Sequence, residues 1–196
     1  MPAIPPDSNA IADTQAWLES AVIGLNLCPF AKAVHVRGQV HYAVCDSAEP
    51  GDLLEALEFE AKSLQAQDPS RRDTTLLIAT GCLEDFLDFN DFLGRAERLL
   101  ARRGFDGVLQ LASFHPQYQF AGTEADDVGN CSNRAPWPTL HLLREASIDR
   151  AVEAFPDAEA IFGHNIDTLE QLGFAGWQAL DVGPGAGARH AAGEGA

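Results

Sequence analysis

Basic residues are scarce in this chain: 13 lysines and arginines face 29 aspartates and glutamates, for a formal charge of −16 and a pI near 4.5. A surface of that sign repels phosphate backbones and anionic lipid, which argues against nucleic-acid binding and membrane adhesion. The acidic residues are spread along the chain, as in a solvated acidic surface. No apolar run approaches the roughly 18–20 residues of a membrane span. The opening residues, MPAIPPDSNAIADTQAW, have neither the basic nor the apolar region of a secretory signal, so a cytoplasmic location is expected. Cys28, Cys45, Cys82 and Cys131 stand far apart with no CxxC pair and read as reduced thiols. GxGxxG, GxxxxGK[ST], GxSxG and HExxH are all missing, and the absence of the phosphate loop argues against an ATPase or GTPase of the common type. There is no internal repeat.

What is present suits one α/β domain. The chain has 196 residues, 46% of them hydrophobic, enough to bury a core. After a flexible lead, residues 1–6, Asp7 or Ser8 can cap a helix to about Leu27 with Trp17, Leu18, Ala21 and Val22 on one face. Gln39–Cys45 alternates as a strand, Pro50–Ala66 has helical spacing, and Thr74–Thr80 is a nearly continuous apolar strand. Glu84–Arg103 reads as a helix stopped by Gly104, and Gly107–Phe114 as a strand delivering His115. Pro136 and Pro138 suit the entrance of a helix carrying Leu140–Glu145. Ser147 then caps a helix through Phe155, broken by Pro156, and His164–Leu172 is a last short helix. Residues 183–196 are low-complexity and read as a disordered tail after a domain over 7–182. The element order implies a mostly parallel sheet of three to four strands flanked by helices, with additional C-terminal helices. A fourth strand could lie in Lys32–Val36 or Phe174–Val182.

The stretch Phe114–Arg144 gathers His115, Tyr118, Asp126, Asp127, Asn130, Cys131, Asn133, Arg134, Trp137, His141 and Arg144, and its middle lacks hydrophobic periodicity. A long polar loop between regular elements often carries function. In a parallel sheet it would lie beyond the carboxyl ends of the strands, where ligands bind. His115 either bonds a loop carbonyl or titrates in a site. His141, with Arg144 and Glu145 on its helical face, is either a structural knot or a carboxylate-oriented general base. His115, Asp127 and His141 could instead form a two-histidine, one-carboxylate metal site. Asn133 and Arg134, before a helix start, suit an anionic group, or Arg134 pairs with Asp126 or Asp127. Cys28 is inert at a helix C-terminus, but becomes a thiolate candidate beside Lys32 and His35 if Pro29 opens a new helix.

The segments NLCPFA (Asn26–Ala31), FHPQYQFAG (Phe114–Gly122) and DDVGNCSNRAPWPTLHLLRE (Asp126–Glu145), with the N-terminal tryptophan helix, resemble the bacterial domain of unknown function catalogued as number 1415. The resemblance spans roughly residues 10–180. It implies a stand-alone cytoplasmic protein of proteobacterial type and no particular activity. Cys28, His115, Tyr118, Asp127, Asn130, Asn133, Arg134, His141 and Arg144 fall within its signature.

Three expectations follow. The first is a small-molecule enzyme, a hydrolase or transferase by default, acting on an anionic substrate. His115, His141 and Asp127 would be catalytic, with Cys28 a possible nucleophile, and Tyr118, Asn130, Asn133, Arg134 and Arg144 would bind substrate. The second is a metal-dependent enzyme on His115, Asp127 and His141. The third is a non-catalytic ligand-binding or regulatory module whose loop is a structural network. Side chains converging on an open cavity favour an enzyme, and side chains satisfied by one another favour structure.

Overall fold

A computed structural model of the chain describes residues 6–154 and 160–193. The expected α/β class, with flanking and additional C-terminal helices, is what it shows. The strands are β1 (Val40–Cys45), β2 (Thr74–Ala79), β3 (Leu109–Phe114) and β4 (Thr139–Arg144), in spatial order β1-β2-β4-β3. The helices are α1 (Pro6–Trp17), α2 (Ala31–Val36), α3 (Pro50–Ala66), α4 (Phe86–Arg102), α5 (Glu145–Ala154), α6 (Ala160–Ala179) and α7 (Ala186–Gly193).

The largely parallel pairing is corrected by β4. It lies antiparallel between β2 and β3, leaving β1 and β2 as the parallel pair. β1, β2 and β3 still run in one direction, so their carboxyl ends share an edge as expected. The two prolines before β4 suit the start of a helix, which is the expectation the strand overturns. The same prolines push Ala135 and Trp137, the residues before them, toward extended backbone, which here leads into a strand. Neither of the two segments considered for a fourth strand is one. Lys32–Val36 lies in α2, and Phe174 onward continues α6.

Each sheet face follows from strand alternation. Leu77 and Ala79 of β2, with Leu140 and Leu142 of β4, meet Leu53, Leu57 and Leu64 of α3 and Phe89, Phe92 and Ala96 of α4. Asp85 caps α4, its carboxylate accepting the N–H of Leu87 at 2.8 Å and of Asp88 at 3.1 Å. The chain then turns through Gly104, whose φ of 80° favours glycine. The opposite face of the sheet meets Trp17, Leu18, Ala21 and Val22. Trp17 ends α1, and Leu18, Ala21 and Val22 lie in the π-helical turn that follows it, Leu18–Ile23, in place of the uninterrupted helix to Leu27 that the spacing predicts.

The expected disordered tail contains α7, which packs on α1. A Cβ on Gly187 would come within 2.4 Å of the Ala12 carbonyl carbon, so only glycine permits this approach. The buried Asp13 holds the helix in place, accepting the backbone N–H of Gly185 at 2.8 Å and of Gly187 at 2.9 Å, and Trp137 Nε1 at 3.2 Å. Ser147 does not cap its helix but donates to Asp73 at 2.6 Å. The Met1–Pro5 portion of the lead, the Asp7 and Ser8 side chains and Pro156 lie outside the described residues. Among the described residues, no helix is long and apolar enough to cross a membrane.

Candidate functional site

The polar loop is built from groups that satisfy one another. His115 is fully buried, with its ring 5.0 Å from Phe89 and 5.4 Å from Phe86. Its Nδ1 accepts the Gln117 N–H at 3.0 Å, so Nε2 carries the proton and donates to the Leu83 carbonyl at 3.1 Å. Burial holds its pKa below the usual histidine value. Asn130, also fully buried, accepts from the Phe120 N–H and the Thr123 hydroxyl and donates to the Glu124 carbonyl. Arg134 donates to the carbonyls of Tyr118 at 3.2 Å and Ala125 at 2.7 Å. The exposed Asp127 caps a 3-10 turn, Val128–Asn133, by accepting the Gly129 N–H at 2.8 Å. Asn133 donates to the Ser113 carbonyl at 3.4 Å and bonds Tyr118, whose pKa burial raises. Cys131 is buried beneath the loop, and burial raises its pKa despite the nearby Arg134.

Arg144 does not join this loop. Alternation in β4 sends it to the α3 side with Leu142, where Nη2 donates to the carbonyls of Leu64 at 2.5 Å and Gln67 at 2.7 Å. A further bond reaches the Arg72 carbonyl at 3.2 Å. It closes the C-terminus of α3, where orphan carbonyls need donors. His141 has the opposite parity and faces the other side of the sheet, so the strand separates it from Arg144, which a helix would have placed beside it. The same separation corrects the metal triad. His115 sits among the α4 phenylalanines on one side of the sheet and His141 on the other, while Asp127 is at the surface. Among the described residues no three His, Cys, Asp or Glu side chains are grouped to hold a metal.

His141 opens onto a cavity of about 660 Å³ between the sheet and the N-terminal helices. The floor comes from Val40, Thr74, Leu76, Ala112, Phe114 and His141, and Trp17, Leu18 and Val22 form one wall. Trp17 meets Phe114 edge-on at 5.0 Å, standing between helix and sheet. α2, which has no buried residue, borders the space without filling it. Such a volume suits a small ligand, and its wall is mainly apolar with few polar groups, as in small-molecule sites.

The polar groups are specific. His141 Nε2 lies 2.6 Å from Thr74 Oγ1, and the Thr74 hydroxyl donates to the Leu142 carbonyl at 2.7 Å. Since that hydroxyl has one proton, Nε2–H must be the donor to it. Nδ1 is left as a lone pair with no hydrogen-bond partner among the described residues, on a side chain that lines the cavity. Burial lowers the pKa of His141 to about 4, so the ring is neutral near pH 7. Cys28, half-buried, also lines the cavity. Its carbonyl accepts the Ala31 N–H at 3.2 Å, and α2 is capped by Phe30, so Cys28 sits outside the cap position. His35 is engaged by Glu19 at 3.3 Å.

Of the expected site residues, the structure therefore brings Cys28 and His141 to one cavity. It assigns His115, Tyr118, Asp127, Asn130, Asn133 and Arg134 to the loop network, and Arg144 to the end of α3. Thr74, Trp17, Ala112, Arg37 and Arg150 of the cavity were not anticipated. The available signal was the parity of a strand over Thr139–Arg144, which puts His141 and Leu143 on one face.

Fold and cavity together define a small α/β protein with a half-open, ligand-sized space on one sheet face. The chain belongs to the family described as protein of unknown function (DUF1415), whose family model matches residues 9–179. No curated protein and no solved structure matches it.

Proposed function

We propose that the protein binds a small, mainly apolar molecule in the sheet-face cavity, with His141 as the hydrogen-bond and proton acceptor for a donor group on that molecule. The observation that carries this reading is the Nδ1 lone pair of a neutral imidazole at the wall of an apolar cavity of about 660 Å³. An acceptor there is partly shielded from bulk water, so it discriminates between ligands with and without a matching donor. Hydrolysis or group transfer would run in this cavity, which Cys28, the candidate nucleophile, lines together with His141. The polar loop supports a structural role instead, because its buried groups are spent on one another.

Ligand-observed NMR with phenol and toluene tests the proposal. Phenol should bind more tightly than toluene, and His141→Leu should remove the preference. Ala112→Leu, which places an isobutyl group on the cavity floor beside His141, should weaken both. Equal binding of the two probes to the wild type would remove His141 from recognition. Absence of binding by either at millimolar concentration would remove the cavity.

A second reading, a binding protein without catalysis, is favoured by the pKa of about 4, which makes His141 a weak base at neutral pH. Modification of Cys28 by a thiol reagent separates the two. Protection by bound phenol without any thiol turnover supports simple binding.

A further inference from the structure

The cavity adjoins a smaller cleft of about 240 Å³ lined by Arg37, Gln39, Pro69, Ser70, Asp73 and Arg150, and Arg37, Asp73 and Arg150 border both. The chain as a whole has 29 acidic and 13 basic residues, yet these two spaces are bordered by two arginines and a single carboxylate. That carboxylate is already engaged: Asp73 accepts the Ser147 hydroxyl at 2.6 Å and its charge also acts on Arg144. The arginines are held from behind. Arg37 Nε donates to Gln39 Oε1 at 2.6 Å, and Gln39 is fixed by its own bonds to the carbonyls of Pro69 at 3.2 Å and Ser70 at 2.9 Å. Arg150 donates one bond to Ser147 at 2.8 Å. Neither arginine forms an ion pair among the described residues. Each guanidinium carries five N–H donors in a planar fork, so most of its donors remain for a ligand.

We propose that the cavity takes an amphiphilic anion, with an apolar chain or ring inside and a carboxylate or phosphate held at the mouth by Arg37 and Arg150. This rests on the cavity being the binding site. The two spaces meet at the arginines, so one molecule reaches both the apolar interior and the cationic rim. Elsewhere the negative surface repels anions, and the rim supplies the local exception. Both arginines are exposed, so the gain from the charged head is modest and salt-dependent.

The test is calorimetric titration of the full chain with decanoate, decyl phosphate and decanol at low salt. Both anions should bind on the order of tenfold more tightly than decanol, the scale expected of charge-assisted hydrogen bonds at an exposed rim. The double variant Arg37→Gln, Arg150→Gln should reduce them to the affinity of decanol and leave decanol unchanged. Ala112→Leu should weaken all three. A gain confined to decanoate or to decyl phosphate supports the proposal with that head group. Equal affinity of the three for the wild type overturns the anionic head and leaves the cavity reading intact. Anion binding that is untouched by Ala112→Leu is surface association and also overturns it. Phenol binding without binding of any decyl probe overturns the amphiphile alone, and loss of phenol binding as well overturns both.

Discussion

Thr74 fixes the protonation of His141. The two lie diagonally across the β2–β4 pair, Nε2 to Oγ1 at 2.6 Å, and the single hydroxyl proton of Thr74 is spent on Leu142. Replacing Thr74 by valine keeps the shape and leaves Nε2–H without its acceptor. Stability should fall by about 1–3 kcal/mol, the cost of an unsatisfied buried donor. Urea unfolding measures the loss, and the ring nitrogen spectrum should show protonation spreading to Nδ1. An unchanged tautomer would sever the link.

Acid should destabilise the fold through buried histidines. The pKa of His141 is lowered from 6.5 to about 4, and that of His115 is also lowered, both chiefly by burial. A histidine whose folded pKa is depressed binds fewer protons folded than unfolded. Its contribution is therefore complete above pH 6.5 and is lost as pH falls from there toward 4. For His141 the drop from 6.5 to about 4 corresponds to an upper bound of about 3.4 kcal/mol, reduced by whatever water the cavity admits. Urea midpoints at pH 7.5, 6 and 5 should fall, and His141→Gln should flatten the slope. An identical slope in the variant would exclude His141 as a source.

Arg144 should matter for stability and not for binding. It serves the carbonyls of Leu64, Gln67 and Arg72 on the face of the sheet away from the cavity. Arg144→Ala should cost about 1.5–3 kcal/mol, as expected for hydrogen bonds from a charged donor. Phenol affinity should be unchanged, and lysine should recover only part of the stability, because an ammonium cannot reproduce the fork. Weakened phenol binding at unchanged melting would return Arg144 to the site.

Removal of residues 183–196 should lower stability. Asp13 is buried and accepts two backbone N–H groups from Gly185 and Gly187. Without them its carboxylate keeps Trp137 as a donor among the described residues, and the two lost hydrogen bonds should cost about 2 kcal/mol. Thermal melting of the truncated chain measures it. An unchanged midpoint would mean that α7 contributes nothing.

Periodicity made most elements legible. Pro50–Ala66 was readable to the residue because Pro50 opens the helix and leucines recur on one face, and Thr74–Ala79 because a strand buried throughout reads as an apolar run. β4 was not legible: six residues with leucines at adjacent and alternate positions fit either period, and the prolines before them suit either reading. That one ambiguity hid the inserted antiparallel strand and misplaced Arg144 relative to His141. α7 was missed because a short stretch rich in alanine and glycine reads as low-complexity, and its docking depends on Asp13, more than 170 residues away. The chemical groups of the loop were visible in the sequence, but their mutual hydrogen bonding was not, since composition alone does not distinguish a satisfied network from an open site.

The central claim is that the cavity beside His141, and not the polar loop, is where a ligand binds. Long-range nitrogen–proton spectra of the histidine rings, recorded with and without phenol, test it most directly. Free His141 should be neutral with its proton on Nε2. On adding phenol, the His141 Nδ1 resonance should shift as it accepts a hydrogen bond while His115 stays unmoved. A stationary His141 together with a shift at His115 would contradict the account and place the binding site in the loop.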